Sequence, residues 1–288
     1  VINAVAQDPA GNTSGPASVT VDAIAPAAPI INPSNGAVIS GTAEAGAEVI
    51  LTDGSGNPIG QTTADGSGNW AFTPSPALGN GTVINAVAQD PSGNTSGPTS
   101  ATVDAVAPAA PVINPSNGVV ISGTAEAGAK VILTDGSGNP IGQTTADGSG
   151  NWSFTPGTPL VNGTVINAVA QDAAGNTSTP QVSTTVDAVA PGQPTIEPSN
   201  GTEISGTAEA GARVILTDGS GNPIGQTTAD GSGNWSFTPG TPLANGTVIN
   251  AVAQDPAGNT SGPASVTVDA IAPAAPIINP SNGVVISG

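Results

Sequence analysis

Residues 50–70 read ILTDGSGNPIGQTTADGSGNW, and the same 21 residues stand unchanged at 132–152 and 215–235. Two Asp-Gly-Ser-Gly-Asn clusters, 53–57 and 65–69, break the stretch into short runs rich in Ile, Leu, Thr and Trp. Asp-Gly and Gly-Asn accept the positive φ of tight turns, and short β-branched runs between such turns are written for strands. Outward from this core the repetition continues. VINAVAQD begins at Val1, Val83, Val165 and Val248, at spacings of 82, 82 and 83 residues. The chain is therefore a tandem array. The extra residue of the third interval falls between Asp172 and Asp187, fifteen apart where Asp90/Asp104 and Asp255/Asp269 are fourteen apart. A tolerated insertion marks a loop.

The phase of the repeat follows from its stiffest element, A-P-x-x-P, at Pro26/Pro29, Pro108/Pro111, Pro191/Pro194 and Pro273/Pro276. Two prolines three apart favour an extended segment and cannot enter a central strand. The whole modules are then 26–107, 108–190 and 191–272, with 1–25 as the tail of a preceding module and 273–288 as the head of a following one. The first whole module holds seven strand-like runs: 30–32, 38–43, 48–52, 58–63, 70–73, 82–89 and 100–103. Seven short strands in such a length predict an all-β chain, a tandem array of seven-stranded Ig-like β-sandwich modules set end to end. Trp70 and Phe72 alternate onto one face and are assigned to the core, because a small module has few other large apolar side chains. Position 48 is Glu, and its equivalents are Lys130 and Arg213, so that side chain should face water.

Composition removes whole classes of function. The 288 residues include two basic and twenty acidic side chains, a formal charge of −18, and no His, Cys, Met or Tyr. There is no imidazole base, no thiolate, and no disulfide to staple the fold. Lys130 and Arg213 cannot neutralise a run of phosphates, so nucleic acid is excluded as a partner, and anionic membrane surfaces with it. No apolar run approaches the roughly 20 residues of a membrane-spanning helix. The first residues carry neither the basic nor the apolar region of a signal peptide. Carboxylates, hydroxyls and amides remain, and paired carboxylates can hydrolyse glycosides, yet the acids recur in triplicate with no cleft-forming insertion. The chain is not expected to be an enzyme.

Strand parity sorts the acids. If the strands alternate in direction, loops after the second, fourth and sixth strands share the N-terminal end of a module. Four carboxylates then gather at each junction: Asp22, Glu44, Asp65 and Asp90 (with Asn94); Asp104, Glu126, Asp147 and Asp172 (with Asn176); Asp187, Glu209, Asp230 and Asp255 (with Asn259). Crowded carboxylates need protons or cations, and an all-oxygen donor set is what Ca²⁺ takes. The sequence therefore predicts one calcium ion per junction, against the plainer reading that Asp-Gly and Gly-Asn are simply turn residues. For Asp53, Asp135 and Asp218, alone at the opposite end, the turn reading is preferred.

The stretches GTAEAGAxVILTDGSGNPIG, ADGSGNWxFTP, GTVINAVAQDxxGNTS and VDAxAPxxP resemble the bacterial Ig-like modules of biofilm-associated (Bap-type) repeat adhesins over nearly the whole chain. The resemblance implies a large cell-surface protein of Gram-negative bacteria, exported by a type I system. Its tandem modules would form a stalk, with calcium commonly stiffening the junctions. The expected role is a structural spacer for biofilm formation and cell adhesion, outside the cell. Its partners would be neighbouring modules of the same chain, other adhesin chains, and host or abiotic surfaces. The alternative is a directly adhesive module that binds glycans or pairs with arrays on neighbouring cells, which exposed strand edges permit.

Overall fold

The computed structural model describes residues 1–280, 283, 284 and 287, and every regular element among them is a β-strand. They begin with β1 (Ile2–Ala4) and β2 (Ala17–Val19), an antiparallel pair. Seven strands then span the first whole module: β3 (Ile30–Ile31), β4 (Ile39–Thr42), β5 (Glu48–Asp53), β6 (Pro58–Thr63), β7 (Asn69–Phe72), β8 (Val83–Gln89) and β9 (Thr99–Thr102). Each matches one of the seven runs read from sequence to within about two residues. The second module repeats them from Val112–Ile113 to Val182–Thr185. The start of a following module, expected over 273–288, lies partly outside the described residues. Within them, the Asn279 N–H donates to the Ser287 carbonyl, as the Asn32 N–H donates to Ser40.

Two sheets form each module, ordered β3-β4-β7 and β6-β5-β8-β9 in the first, with every neighbouring pair antiparallel. Period-two alternation turns Val49 and Leu51 of β5 and Ile84 and Ala86 of β8 inward against Ile39 and Trp70 of the other sheet. Phe72 packs on the rim of this cluster, as the alternation of Trp70 and Phe72 predicts. Each side chain of Leu or Ile size that is fully buried contributes roughly 1.5–3 kcal/mol. The other two modules rebuild the same core around Trp152 and Trp235. Pro58 opens β6, an edge strand, where its missing N–H interrupts no ladder.

Gly41 shows how closely the first sheet is packed. A Cβ there would lie 1.8 Å from the Ile30 carbonyl oxygen and 2.7 Å from Cζ2 of Trp70, so only hydrogen fits between strand and ring.

The third module has six assigned strands where the others have seven. Thr195 occupies the place of Ile30 and Val112, and its hydroxyl accepts from the Thr207 N–H at 2.8 Å. A side-chain oxygen thus takes the donor that would otherwise extend the ladder, while Thr195 N–H still reaches the Thr207 carbonyl at 2.8 Å. The inserted residue of the second module lies in the connection 172–181, between Val165–Gln171 and Val182–Thr185, which is a loop.

Candidate functional site at the module junctions

One five-residue loop, Asp-x-x-Gly-Asn, carries most of the acids that sequence reading singled out. It occurs three times per module, at 53–57, 65–69 and 90–94 in the first. In each, Asp Oδ1 accepts from the N–H two residues on and from the Asn N–H four residues on, at 2.8–2.9 Å. The Asp carbonyl accepts from the Gly N–H, and the Asp N–H donates to the Asn carbonyl. Gly makes the loop close, since its φ is near +85° at Gly56 and +89° at Gly93, a region costly for any side chain.

These donors stabilise the ionised carboxylates. Asp53 and Asp90 are held below the usual carboxylate range, chiefly by the Asn57 and Asn94 side-chain amides respectively. Asp65 is lowered chiefly by the Asn69 backbone N–H. Asp135, Asp218 and Asp230 shift the same way, Asp135 and Asp218 through an Asn side chain first and Asp230 through a backbone N–H first.

Strand direction alternates as the parity argument assumes. Every ladder pairs an odd with an even strand of the module, so the loops after β4, β6 and β8 share one end. The Ala43 N–H donates to the Gly68 carbonyl at 2.8 Å, tying the Glu44 loop to the Asp65 loop. Between the first and second modules, Asp104, Glu126 and Asp172 line one cavity of about 290 Å³ together with Pro33, Ser34 and Thr102. Asp147 does not line it; its carboxylate accepts from the N–H groups of Ser149 and Asn151 within its own loop. Glu44, Glu126 and Glu209 are exposed at the start of their turns, as are Asp22, Asp104 and Asp187 at the ends of their modules. Asp90 and Asp255 are buried, and Asp172 is half-buried.

Among the described residues, no three acidic side chains converge closely enough to hold one metal ion. As arranged, the carboxylates of Asp172 and Asp255 face the amides of Asn176 and Asn259 and do not form an open donor ring.

What does cross each junction is an amide. Asn94 Nδ2 donates to the Asp22 carbonyl at 3.2 Å, Asn176 Nδ2 to Asp104 at 2.8 Å, and Asn259 Nδ2 to Asp187 at 2.7 Å. The three Asn residues were legible as candidates, but as metal ligands beside their Asp partners. A reach to a main-chain carbonyl 72 residues away leaves no local signal in the sequence. Both prolines are buried in the linkers at Pro26/Pro29, Pro108/Pro111 and Pro191/Pro194, whereas Pro273 and Pro276 are exposed. Gln193, where the other linkers carry Ala, adds a bond from Nε2 to the Pro263 carbonyl at 2.6 Å.

Comparison with known proteins bears on this repeated sandwich. The family profile described as the bacterial Ig domain matches residues 25–105, 107–187 and 190–270. The chain belongs to this family. Among solved structures, this bacterial Ig domain array is similar to a tetra-tandem repeat from the extending region of a large adhesion protein. The identity is 26%, the match covers 93% of this chain and 81% of that one, and the TM-score is 0.26. It is also similar to the BSP domain of a biofilm-associated protein, at 15% identity over 87% of this chain and 67% of that one, with a TM-score of 0.26. No curated protein matches the chain. Among the described residues no helix is long and apolar enough to cross a membrane.

Proposed function

We propose that this array is a spacer in a bacterial cell-surface adhesin, a stalk segment that holds an adhesive region away from the cell that displays it. The observation that carries the reading is repetition of the whole mechanical unit. Three modules share one core, one linker with buried prolines and one set of junction residues. A spacer needs the same packing many times, whereas a recognition site need occur only once. The charge of −18 keeps such an array soluble and opposes lateral clumping. Strands rising about 3.3 Å per residue, with turns and linker added, give each module a length of roughly 35–40 Å. Small-angle X-ray scattering of the full chain and of a chain shortened to residues 1–190 tests this. The largest dimension should differ by about one such module length, and a compact particle whose dimension barely changes would refute the spacer.

Calcium at the junctions is the second part of the proposal, supported by the shared lining of Asp104, Glu126 and Asp172. The present arrangement does not bring a third acid onto one point, so binding would require exposed side chains such as Glu126 to turn inward. Calorimetric titration of chelator-treated protein should show saturable binding that Asp104→Ala and Asp187→Ala each reduce by one site. Absence of binding would leave the acids as turn residues.

A further inference from the structure

The Asp-x-x-Gly-Asn loop is used in two ways. At 53–57 and 135–139, Asn Nδ2 bonds the Asp Oδ2 of its own loop. At 90–94, 172–176 and 255–259 the amide makes that same bond at 2.7 Å and also reaches the preceding module. An amide nitrogen has two hydrogens, and here each has its own acceptor. The carboxylate therefore orients the amide, and the second hydrogen is aimed outward at a fixed angle.

Its acceptor is equally well held. The Asp104 N–H donates to the Ser34 carbonyl at 3.0 Å, the Ala105 N–H to Asn80 Oδ1 at 2.8 Å, and the Val106 N–H to Asp104 Oδ1 at 3.1 Å. The exit of the first module is thus moored to that module's own loops, while its carbonyl accepts from Asn176. Asp187 repeats this, with its N–H on Ser116 at 3.0 Å, the Ala188 N–H on Asn162 Oδ1 at 2.9 Å, and its carbonyl on Asn259. A single residue is gripped from both sides at each of these junctions.

The spacing is the independent observation. Donor and acceptor are 72 residues apart at all three junctions, although the repeat length changes from 82 to 83. The inserted residue falls in the loop between Val165–Gln171 and Val182–Thr185, beyond Asn176 and before Asp187, so neither span contains it.

We infer that Asn94, Asn176 and Asn259 are latches that fix each module on the one before it, taking the preceding main-chain carbonyl as partner and needing no cation. The latch deepens the spacer reading and rests on it for its biological purpose. Proline stiffens the linker along its length; the latch stops rotation and bending about it. The acids Asp90, Asp172 and Asp255 act as positioning residues for the amide.

The chain has no cysteine, so labels can be placed at will. Ala71→Cys and Ser153→Cys put spin labels on equivalent exposed strand positions either side of the first whole junction. Pulsed dipolar spectroscopy in chelator then reads the spread of the inter-label distance. The unaltered junction should give one narrow distribution. Asn176→Ala should broaden it, raising the unlatched population about fivefold, the factor carried by one hydrogen bond of ordinary net strength. Asn139→Ala removes the same intraloop bond at the far end of the module and should leave the distribution narrow. The latch is overturned if Asn176→Ala changes nothing, if Asn139→Ala broadens equally, or if the unaltered chain is broad until Ca²⁺ is added.

Emission from the buried Trp152 checks that the second module stays folded. If it does not, Asn259→Ala with labels at Ser153→Cys and Ser236→Cys decides the question at the next junction. Narrow distances in a chain that scatters as a compact particle would sink the spacer and leave the latch. Broad distances in an extended chain would sink the latch alone.

Discussion

Replacing Gly123 by Ala tests the packing that makes each module a sandwich. The added Cβ would lie 1.8 Å from the Val112 carbonyl oxygen and 2.7 Å from Cζ2 of Trp152. The nearer atom is main chain, so no rotamer change relieves the clash. If the strands stay paired, the core carries an overpacking cost of about 1–3 kcal/mol. If Val112–Ile113 lifts away, the module loses the Val112–Thr124 and Ile113–Gly123 pairing and the Asn114 N–H bond to the Ser122 carbonyl. These bonds are worth about 1 kcal/mol each, and uncovering Ile113, which packs on the core, adds roughly 1.5 kcal/mol. The module takes the cheaper route, so the cost is at most about 3 kcal/mol, against a total of roughly 4–12 kcal/mol for a module of this length. The other two modules have separate cores and should be untouched.

Urea unfolding followed by tryptophan emission resolves this, since Trp70, Trp152 and Trp235 each report one module. About one third of the amplitude should move to lower urea, with the remainder unshifted. A thermal scan should show the corresponding module melting earlier, by as much as about 12–24 °C at the upper cost, at 4–8 °C per kcal/mol. A single transition at the original midpoint would show that the strand and ring accommodate a methyl group, and the close-packing argument would fall.

Two further outcomes follow from buried and charged groups. Ser178 Oγ accepts from the Ala170 N–H at 2.9 Å, and both residues are buried, so Ser178→Ala should cost about 1–3 kcal/mol through a stranded donor; a loss within error in urea unfolding would contradict this. Asp53, Asp65 and Asp90 have folded-state pKa values below their unfolded ones. Their stabilisation is therefore complete above the unfolded value of about 3.9 and is lost as pH falls through the lower folded value. The urea midpoint should hold from neutral pH down to about 5 and fall below about 4, and Asp53→Asn should lose less over that fall than the unaltered chain. An equal loss in both would show that the loop charge is not what the acid transition reports.

The seven strands, the loop that absorbs the extra residue and the core role of Trp70 were legible because they rest on local rules. Asp-Gly and Gly-Asn mark turns by their backbone freedom, and period-two alternation marks a half-buried strand wherever it occurs. Repetition then supplied the module length. Parity was also sufficient to bring Asp104, Glu126 and Asp172 to one end, because alternating direction needs no knowledge of side chains. It could not say where the carboxylates point. Asp147 Oδ1 accepts within its own loop, and Asn176 gives an amide hydrogen to the Asp104 carbonyl.

From the amino-acid order alone come the all-β class, the tandem modules, the turns and the exclusion of basic, thiol and imidazole chemistry, all properties of neighbouring residues or of composition. The tertiary structure alone decides that β4 pairs with β7 within one sheet of the sandwich, that Thr195 displaces a ladder bond, and that an amide 72 residues along the chain closes each junction. Those choices depend on distances between segments that no local propensity encodes. They are settled only when two sheets pack and one module meets the next.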